Sequence, residues 1–276
     1  MCGRYAASSS PDDLVEEFEI VDPEAAAQAH QVAVEADYNV APTKTAPVVL
    51  ERPPSRDREA EPVRQLRPLV WGLVPSWAKD RSVGARMINA RAESLLDKPA
   101  YRRAATSRRC LVPADGWYEW QVSPTAIDDK GKPRKQPFFV TGAGGGGIAL
   151  AGLYEFWRDD SRDPEDPSAW LTTYAVVTTA AEPDLARIHD RMPLALPRDR
   201  WDAWLSAAVT DDDDVRALLL PPEPGGFEAW ATSTLVNDVR NSSPELVRPL
   251  PVDDLVGVVD PVTGEVLGGQ SDVLFG

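Results

Sequence analysis

The chain has 276 residues, 43% of them hydrophobic, and its 29 Lys and Arg against 44 Asp and Glu give a formal net charge of −15. That length buries a full core in one domain; with no run of about 18 apolar residues and no apolar stretch in the opening MCGRYAASSS, it excludes a membrane span and a secretory signal and points to a cytosolic protein. Two cysteines, Cys2 and Cys110, are too few for a disulfide framework.

The first predicted element is a short amphipathic helix. Ser10 is a cap, Pro11 suits the first helical position, and Asp12 and Asp13 fill an acidic first turn ahead of Leu14, Val15 and Phe18. Strands follow at Pro47 to Leu50, Gln65 to Trp71, Leu111 to Val112, Gly116 to Trp120, Phe138 to Thr141, Ile148 to Leu153 and Thr172 to Thr178. Pro, Gly and charge content marks residues 51–64, 121–136, 142–147 and 158–169 as surface loops. Helical patterns recur at Pro99 to Ala105, Glu182 to Ile188, Pro197 to Leu205 and Asp211 to Leu219, where the aspartate run Asp211 to Asp214 reads as a cap. Strands outnumber helices without regular βαβ alternation. The expected fold is therefore a single α+β domain, a curved and mostly antiparallel sheet or barrel with short flanking helices. Past residue 250 comes a tail over 251–276 with five acidic and no basic residues; within it Asp260-Pro261-Val262-Thr263-Gly264 reads either as a hairpin turn or as disorder.

The net charge by itself argues against a nucleic-acid partner, because phosphate binding needs a positive surface. Its distribution does not. Residues 67–110 hold ten Lys and Arg against three Asp and Glu, which makes one basic face on an acidic body the expectation, with Arg86, Arg91, Lys98 and Arg102 on it.

The strongest chemical signal is Met1-Cys2-Gly3-Arg4-Tyr5. A small residue after the initiator lets an aminopeptidase remove Met1, leaving Cys2 as a 1,2-aminothiol whose α-amine has a reference pKa near 8. Such a group reacts with aldehydes in two stages, an imine from the amine and then a thiazolidine closed by the thiol. The same opening also suits an N-terminal-nucleophile amidohydrolase, in which thiol and amine share acyl transfer.

Further blocks follow in order: Tyr38-Asn39-Val40-Ala41-Pro42-Thr43, Trp71-Gly72-Leu73-Val74-Pro75-Ser76-Trp77, Asn89-Ala90-Arg91-Ala92-Glu93-Ser94, Pro113-Ala114-Asp115-Gly116-Trp117-Tyr118-Glu119-Trp120 and Ile188-His189-Asp190-Arg191-Met192-Pro193, then Val236-Asn237, Arg240-Asn241 and Pro244-Glu245-Leu246. With Cys2 at their head, these closely resemble the SOS-response-associated peptidase (SRAP) family. The resemblance runs from residue 2 to about 250, giving a domain over 1–250 and leaving the acidic tail outside. It implies a protein that crosslinks covalently to abasic sites in single-stranded DNA through a thiazolidine on Cys2, with AP-lyase chemistry and N-terminal self-processing as associated activities. A non-catalytic single-stranded DNA binder is the third class to keep apart.

The resemblance also implies roles. Cys2 is the nucleophile, and Asn89 holds the α-amine or a sugar hydroxyl. Glu119, set among Trp117, Tyr118 and Trp120, has a carboxyl whose pKa burial would raise toward acid-base work on the sugar ring oxygen. His189, one of two histidines, is the proton shuttle, its state tuned by Asp190 and Arg191. Arg4, Arg91, Lys98 and Arg191 are candidates for phosphates, and Pro42, Trp77 and Met87 for unstacked bases. Arg91 has an alternative as an ion-pair partner of Glu93 or Glu119. Trp71 reads equally as core. Thr178 and Thr179 are candidate pocket lining. Lys44, where the family often has glutamine, adds charge near the site; Cys110 reads as core and His30 as exposed. A monomer is expected, with no cofactor and no metal, since the His and Cys residues show no ligand spacing.

Overall fold

In a computed structural model of the chain, residues 2–31, 35–54, 57, 59–163 and 165–268 are described. Met1, parts of the loops read at 51–64 and 158–169 (residues 55, 56, 58 and 164), and the tail end 269–276 lie outside them. In chain order the elements are β1 (Tyr5–Ala7), α1 (Pro11–Glu17), α2 (Pro23–Ala29), β2 (Asp37–Val40), β3 (Thr45–Arg52), β4 (Val63–Trp71), β5 (Asn89–Arg91), α3 (Pro99–Ser107), β6 (Arg109–Ala114), β7 (Gly116–Ile127), β8 (Pro133–Gly142), β9 (Ile148–Arg158), β10 (Trp170–Ala180), β11 (Arg191–Pro193), α4 (Trp201–Leu205), α5 (Asp212–Leu218), β12 (Phe227–Ala231), β13 (Val258–Val259) and β14 (Val266–Leu267).

Five strands close into a mixed barrel in the order β10-β4-β3-β6-β9, with β9 returning to β10. Only the β10–β4 junction of the ring is parallel, aligning Thr173 with Val70 and Tyr174 with Trp71. β6 and the central parts of β3, β9 and β10 read as nearly continuous apolar runs because both faces are buried, whereas β4 is interrupted by Arg64, Gln65 and Arg67. Val48 and Leu50 of β3, Cys110 and Val112 of β6, and Tyr174 and Val176 of β10 join a cluster with Cys2, Tyr5 and Trp117. The alternate positions Val49, Leu111, Ala175 and Val177 join a second cluster with Leu14, Phe18, Tyr101, Trp201 and Trp204 from the helices. A second sheet, β12-β8-β7-β1-β2, is antiparallel throughout.

The helices begin where short-range chemistry dictates. Ser10 and Asp13 form a capping box at α1, and the Asp211 side chain caps α5 by accepting from the Asp213 N–H. The same signal, Asp22 followed by Pro23, starts α2, an element the sequence reading passed over. Two readings are corrected. Residues 121–136 are not one loop: β7 runs to Ile127 and β8 starts at Pro133, a hairpin arm whose exposed Pro, Gly and charged residues suggested a loop while Gln121, Ser123 and Gln136 are buried. Nor is Glu182–Ile188 a helix. Its hydrogen bonds support a single 3-10 turn, Leu185–Arg187, before the chain bends into β11. In the tail, β13 and β14 pair as a hairpin, and Asp260 Oδ1 accepts the N–H groups of Val262 and Thr263 to close its turn.

Gly72 and Gly84 hold a 3-10 turn, Arg81–Arg86, against the end of β4. Gly72 has φ of +120°, and a Cβ on either glycine would meet the other's carbonyl oxygen at 2.5 Å. The residues just beyond deliver Asn89: the Leu73 N–H donates to the Met87 carbonyl, and the Trp71 indole and the Val176 N–H both donate to that of Ile88. Gly84→Ala must therefore push two backbone segments apart, and an expected loss of about 2 kcal/mol is measurable by denaturant unfolding.

Candidate active site

Three chain segments meet around Cys2. The first is its own: the Tyr118 N–H donates to the Arg4 carbonyl and Tyr5 faces Trp117, so continuing the β1–β7 register sets Gly3 opposite Glu119. The second is β5, held parallel to β10 with Asn89 beside Val176 and Arg91 beside Thr178. From there Asn89 Nδ2 donates to the Cys2 carbonyl at 2.7 Å, while its own main-chain carbonyl accepts from the Tyr101 hydroxyl at 3.0 Å. The third is the bend before β11, which carries His189; its Leu185 and Ile188 lie in one apolar cluster with Cys2, and the Asp190 charge acts on Glu119.

Cys2 is fully buried, and burial followed by the negative charge of Glu119 pushes its thiol well above the usual range. Glu119 is itself buried, which raises its carboxyl to about 7, with Asp190 adding in the same direction. Asn89 Oδ1 is buried and has no hydrogen-bond partner among the described residues. His189 accepts the Arg191 N–H on Nδ1 at 3.0 Å, so the neutral ring carries its proton on Nε2. Burial first lowers its pKa; once charged, Nδ1 has Asp190 Oδ1 3.0 Å away. In the same core cluster as Cys2, the Tyr5 and Tyr174 hydroxyls bond each other at 2.6 Å beside Trp71, whose full burial answers the open reading of that residue as core.

The candidate DNA-contact residues divide. Arg191 grips Glu93 with both terminal nitrogens at 2.6 and 3.0 Å and donates to the Thr178 carbonyl at 2.7 Å. Arg91 is therefore left without the suggested pairing to Glu93 or Glu119; it is exposed and makes no salt bridge to a described residue. Arg4 is half committed, its Nη1 donating to Asn39 Oδ1 and the Val236 carbonyl at 2.8 Å each. Trp77 is 69% exposed, and Lys98 stands exposed at the start of α3. Pro42 and Met87 are half-buried, Met87 packing against the helix-covered core. Thr178 and Thr179 point to opposite faces of β10: Thr178 meets Arg191, whereas Thr179 lines a cleft of about 260 Å³ with Glu93, Leu96 and Arg216.

The basic window is smaller than its sequence count. Arg67 bonds Gln65, Arg102 pairs with Asp212, Arg108 with Glu155, and Arg109 is buried against the carbonyls of Ala105, Trp204 and Ser206. These four are engaged within the fold: Arg109 is buried and must be paired, Arg67 and Arg108 are half-buried, and Arg102 holds its partner in an exposed ion pair. Lys79, Arg81, Arg86, Arg91, Lys98 and Arg103 remain exposed, without salt bridges to described residues. Lys44, read as added site charge, is neutralised by Asp37 at 2.7 Å. Cys110 is buried, and His30 is exposed and pairs with Asp12. Sequence reasoning gave no role to Asn39, which is buried and donates to the carbonyls of Val236, Asp238 and Asn241, tying two of the motif blocks together. Among the described residues no three His, Cys, Asp or Glu side chains form a metal cage, and no helix is long and apolar enough to cross a membrane.

The family profile described as SOS response associated peptidase (SRAP) matches residues 1–239. The chain is 36% identical over 248 residues to the abasic site processing protein YoqW of Bacillus subtilis, covering 90% of this chain and 99% of that protein. It is 30% identical over 277 residues to the abasic site processing protein HMCES of Gallus gallus, covering 91% of this chain and 78% of the relative. A solved structure of a Bacteroides thetaiotaomicron protein superposes with a TM-score of 0.70 at 19% identity, over 91% of this chain and all of that one, a likeness of fold. Motif order, barrel architecture and the profile match agree: the chain belongs to the SOS response associated peptidase (SRAP) family.

Proposed function

We propose that this protein processes abasic sites in single-stranded DNA by joining itself to them covalently through Cys2. The observation that carries the reading is the convergence on Cys2 of a carboxyl poised near neutrality and of the Asn89 amide bonded to the Cys2 carbonyl. Named relatives that process abasic sites support it.

The chemistry starts once Met1 is gone and the Cys2 amine is free. An abasic deoxyribose is mostly a closed hemiacetal. Glu119 in its acid form donates to the ring oxygen, releasing the aldehyde. The Cys2 amine adds to the aldehyde carbon, and the carbinolamine loses one water to give the imine, with His189 moving protons through Nε2. The thiol then adds to the imine carbon. Its proton, held tightly because the thiol is buried, passes by way of the ionised Glu119 to the ring nitrogen, and the thiazolidine closes. The net change is one bond from carbon to nitrogen, one to sulfur, and one water released. An aldehyde converted to an imine is electrophilic enough that the scheme calls for no metal or cofactor. The protein acts in it as a monomer, and Asn89 Oδ1 is a ready acceptor for the amine or a sugar hydroxyl.

Mixing the purified protein with an abasic oligonucleotide tests the reading on a denaturing gel, alongside an intact mass that establishes Cys2 as the first residue. A heat-stable covalent band is expected; its absence from protein of the correct mass overturns the proposal. Phosphate contacts carry a second expectation. Affinity for undamaged single strands should fall with salt at a slope near −0.7 per phosphate contacted, and Arg86→Ala and Arg91→Ala should each flatten it by about that amount. Arg102→Ala and Arg67→Ala, whose guanidinium groups are engaged within the fold, should leave the slope unchanged.

A further inference from the structure

Glu119 and Gln121 are two apart on β7 and share a face of the strand. Gln121 is 2% exposed, and its amide is fully used by main-chain groups. Oε1 accepts the Val259 N–H at 2.7 Å, and Nε2 donates to the Val259 carbonyl at 2.8 Å and to the Arg187 carbonyl at 3.1 Å. One buried side chain thus joins three segments: the strand that carries Glu119, the 3-10 turn two residues before His189, and the tail hairpin of β13 and β14. The hairpin lies outside the residues that match the family profile.

Two further ties run between the same turn and the same hairpin. The Arg187 guanidinium donates to the carbonyls of Pro261 and Val262 and pairs with Asp184. Leu185 and Ile188 belong to one apolar cluster with Leu255, Val258 and Cys2. A lone 3-10 turn has few hydrogen bonds of its own and weak geometry, so its position is set by what it is fastened to. A buried amide with every donor and acceptor engaged is a strong fastening, because each bond broken leaves a desolvated polar group behind.

We infer that Gln121 is a positioning residue, and the C-terminal hairpin a brace, that together hold the His189 segment in register with Glu119 across the Cys2 pocket. The inference rests on the function proposed above and adds to it a residue that never touches the sugar.

The test uses the full chain with three substitutions. Gln121→Leu keeps the volume and removes all three bonds; Gln121→Glu keeps an acceptor for the Val259 N–H but turns a carboxylate oxygen toward two carbonyls; Arg187→Ala cuts the second tie at a partly exposed side chain. Four quantities are read: the single-turnover rate of adduct formation at saturating abasic single strand, the Kd for the undamaged strand, the Tm, and the ring proton resonance of His189. The chain has two histidines, so His30 serves as an internal reference. Expected are a rate loss of about 10-fold to 100-fold for Gln121→Leu and Gln121→Glu, as misplacement of a reacting group by about an ångström produces, and a loss of about 3-fold for Arg187→Ala. The Kd should stay within about 2-fold, and only the His189 resonance should move. An unchanged rate and resonance in folded Gln121→Leu overturns the inference, as does a rate loss that only follows the folded fraction. Should Gln121→Leu fail to fold, Arg187→Ala decides by the same readouts. If the wild-type chain forms no adduct, the proposed function falls, while the His189 resonance in the variants still decides the positioning.

Discussion

Cys2→Ala, still processed to a free amine, is expected to lose the heat-stable adduct by about 10³-fold or more while gaining the ability to nick abasic strands. In the proposed reaction the two nucleophiles of Cys2 have separable tasks. An imine formed by the amine acidifies the neighbouring sugar carbon and invites β-elimination; ring closure by the thiol removes that electron withdrawal, and an intramolecular thiol is effective enough for closure to outrun elimination. Borohydride should trap the alanine variant's transient imine on a denaturing gel. Acetylating the amine should abolish adduct and nicking together, because an amide nitrogen cannot form the imine; placing a residue ahead of Cys2 should abolish the stable adduct, because the new terminal amine has no thiol of its own to close the ring. A stable adduct from amine-blocked protein would rule out the aminothiol route and redirect attention to a lysine or an internal thiol.

Glu119→Gln is expected to slow adduct formation by about 10²-fold, the usual scale for losing a positioned acid or base, while leaving the Kd for undamaged single strands nearly unchanged. The pH dependence has a definite sign. Burial raises the Glu119 carboxyl to about 7, so the acid form proposed to open the sugar ring is abundant up to neutrality. Where ring opening limits the rate, the rate should fall about tenfold per unit above that pH, and the Gln variant should lack this limb. The same shift has an opposite consequence for stability. Below the carboxyl's ordinary value of 4.5 the group is protonated whether folded or unfolded and costs nothing; between 4.5 and about 7 the unfolded chain ionises while the folded one resists, so stability falls, and above 7 the penalty is constant. Glu119→Gln should therefore be more stable than wild type at pH 8, by up to about 3 kcal/mol, with the gain vanishing at pH 4. Denaturant unfolding at the two pH values checks this. A variant that loses rate, affinity and stability together would show Glu119 to be a packing residue.

Hydrogen bonding explains why the tail hairpin was half legible. Asp260 and Gly264 announce a tight turn from local chemistry, but whether the turn persists depends on Gln121 and Arg187, far away in the chain, receiving it. Besides α2, the strands missed within the domain, β1, β2, β5, β11 and β12, span only three to five residues each and owe their existence to neighbours: β5 is a strand because β10 offers it an edge. The Glu182–Ile188 helix failed for the converse reason, a favourable local pattern overridden by a bend that must carry His189 into β11.

What the sequence determined by itself was whatever short-range chemistry and motif order can carry: a cysteine directly after the first residue, the caps of α1 and α5, the apolar runs of the barrel strands, and the ordered blocks that identify the family. Only the tertiary structure decided the states and partners of the groups involved. The parallel seating of β5 on β10 brings Asn89 onto the Cys2 carbonyl, and burial sets the Glu119 carboxyl near neutrality. The Arg191 N–H selects the His189 tautomer, and of the ten basic residues in the window four are spent on carboxylates and carbonyls within the fold. The physical reason is common to all of them. Ionisation, tautomer and charge availability follow from desolvation and from partners distant in the chain, and neither exists until the strands have closed.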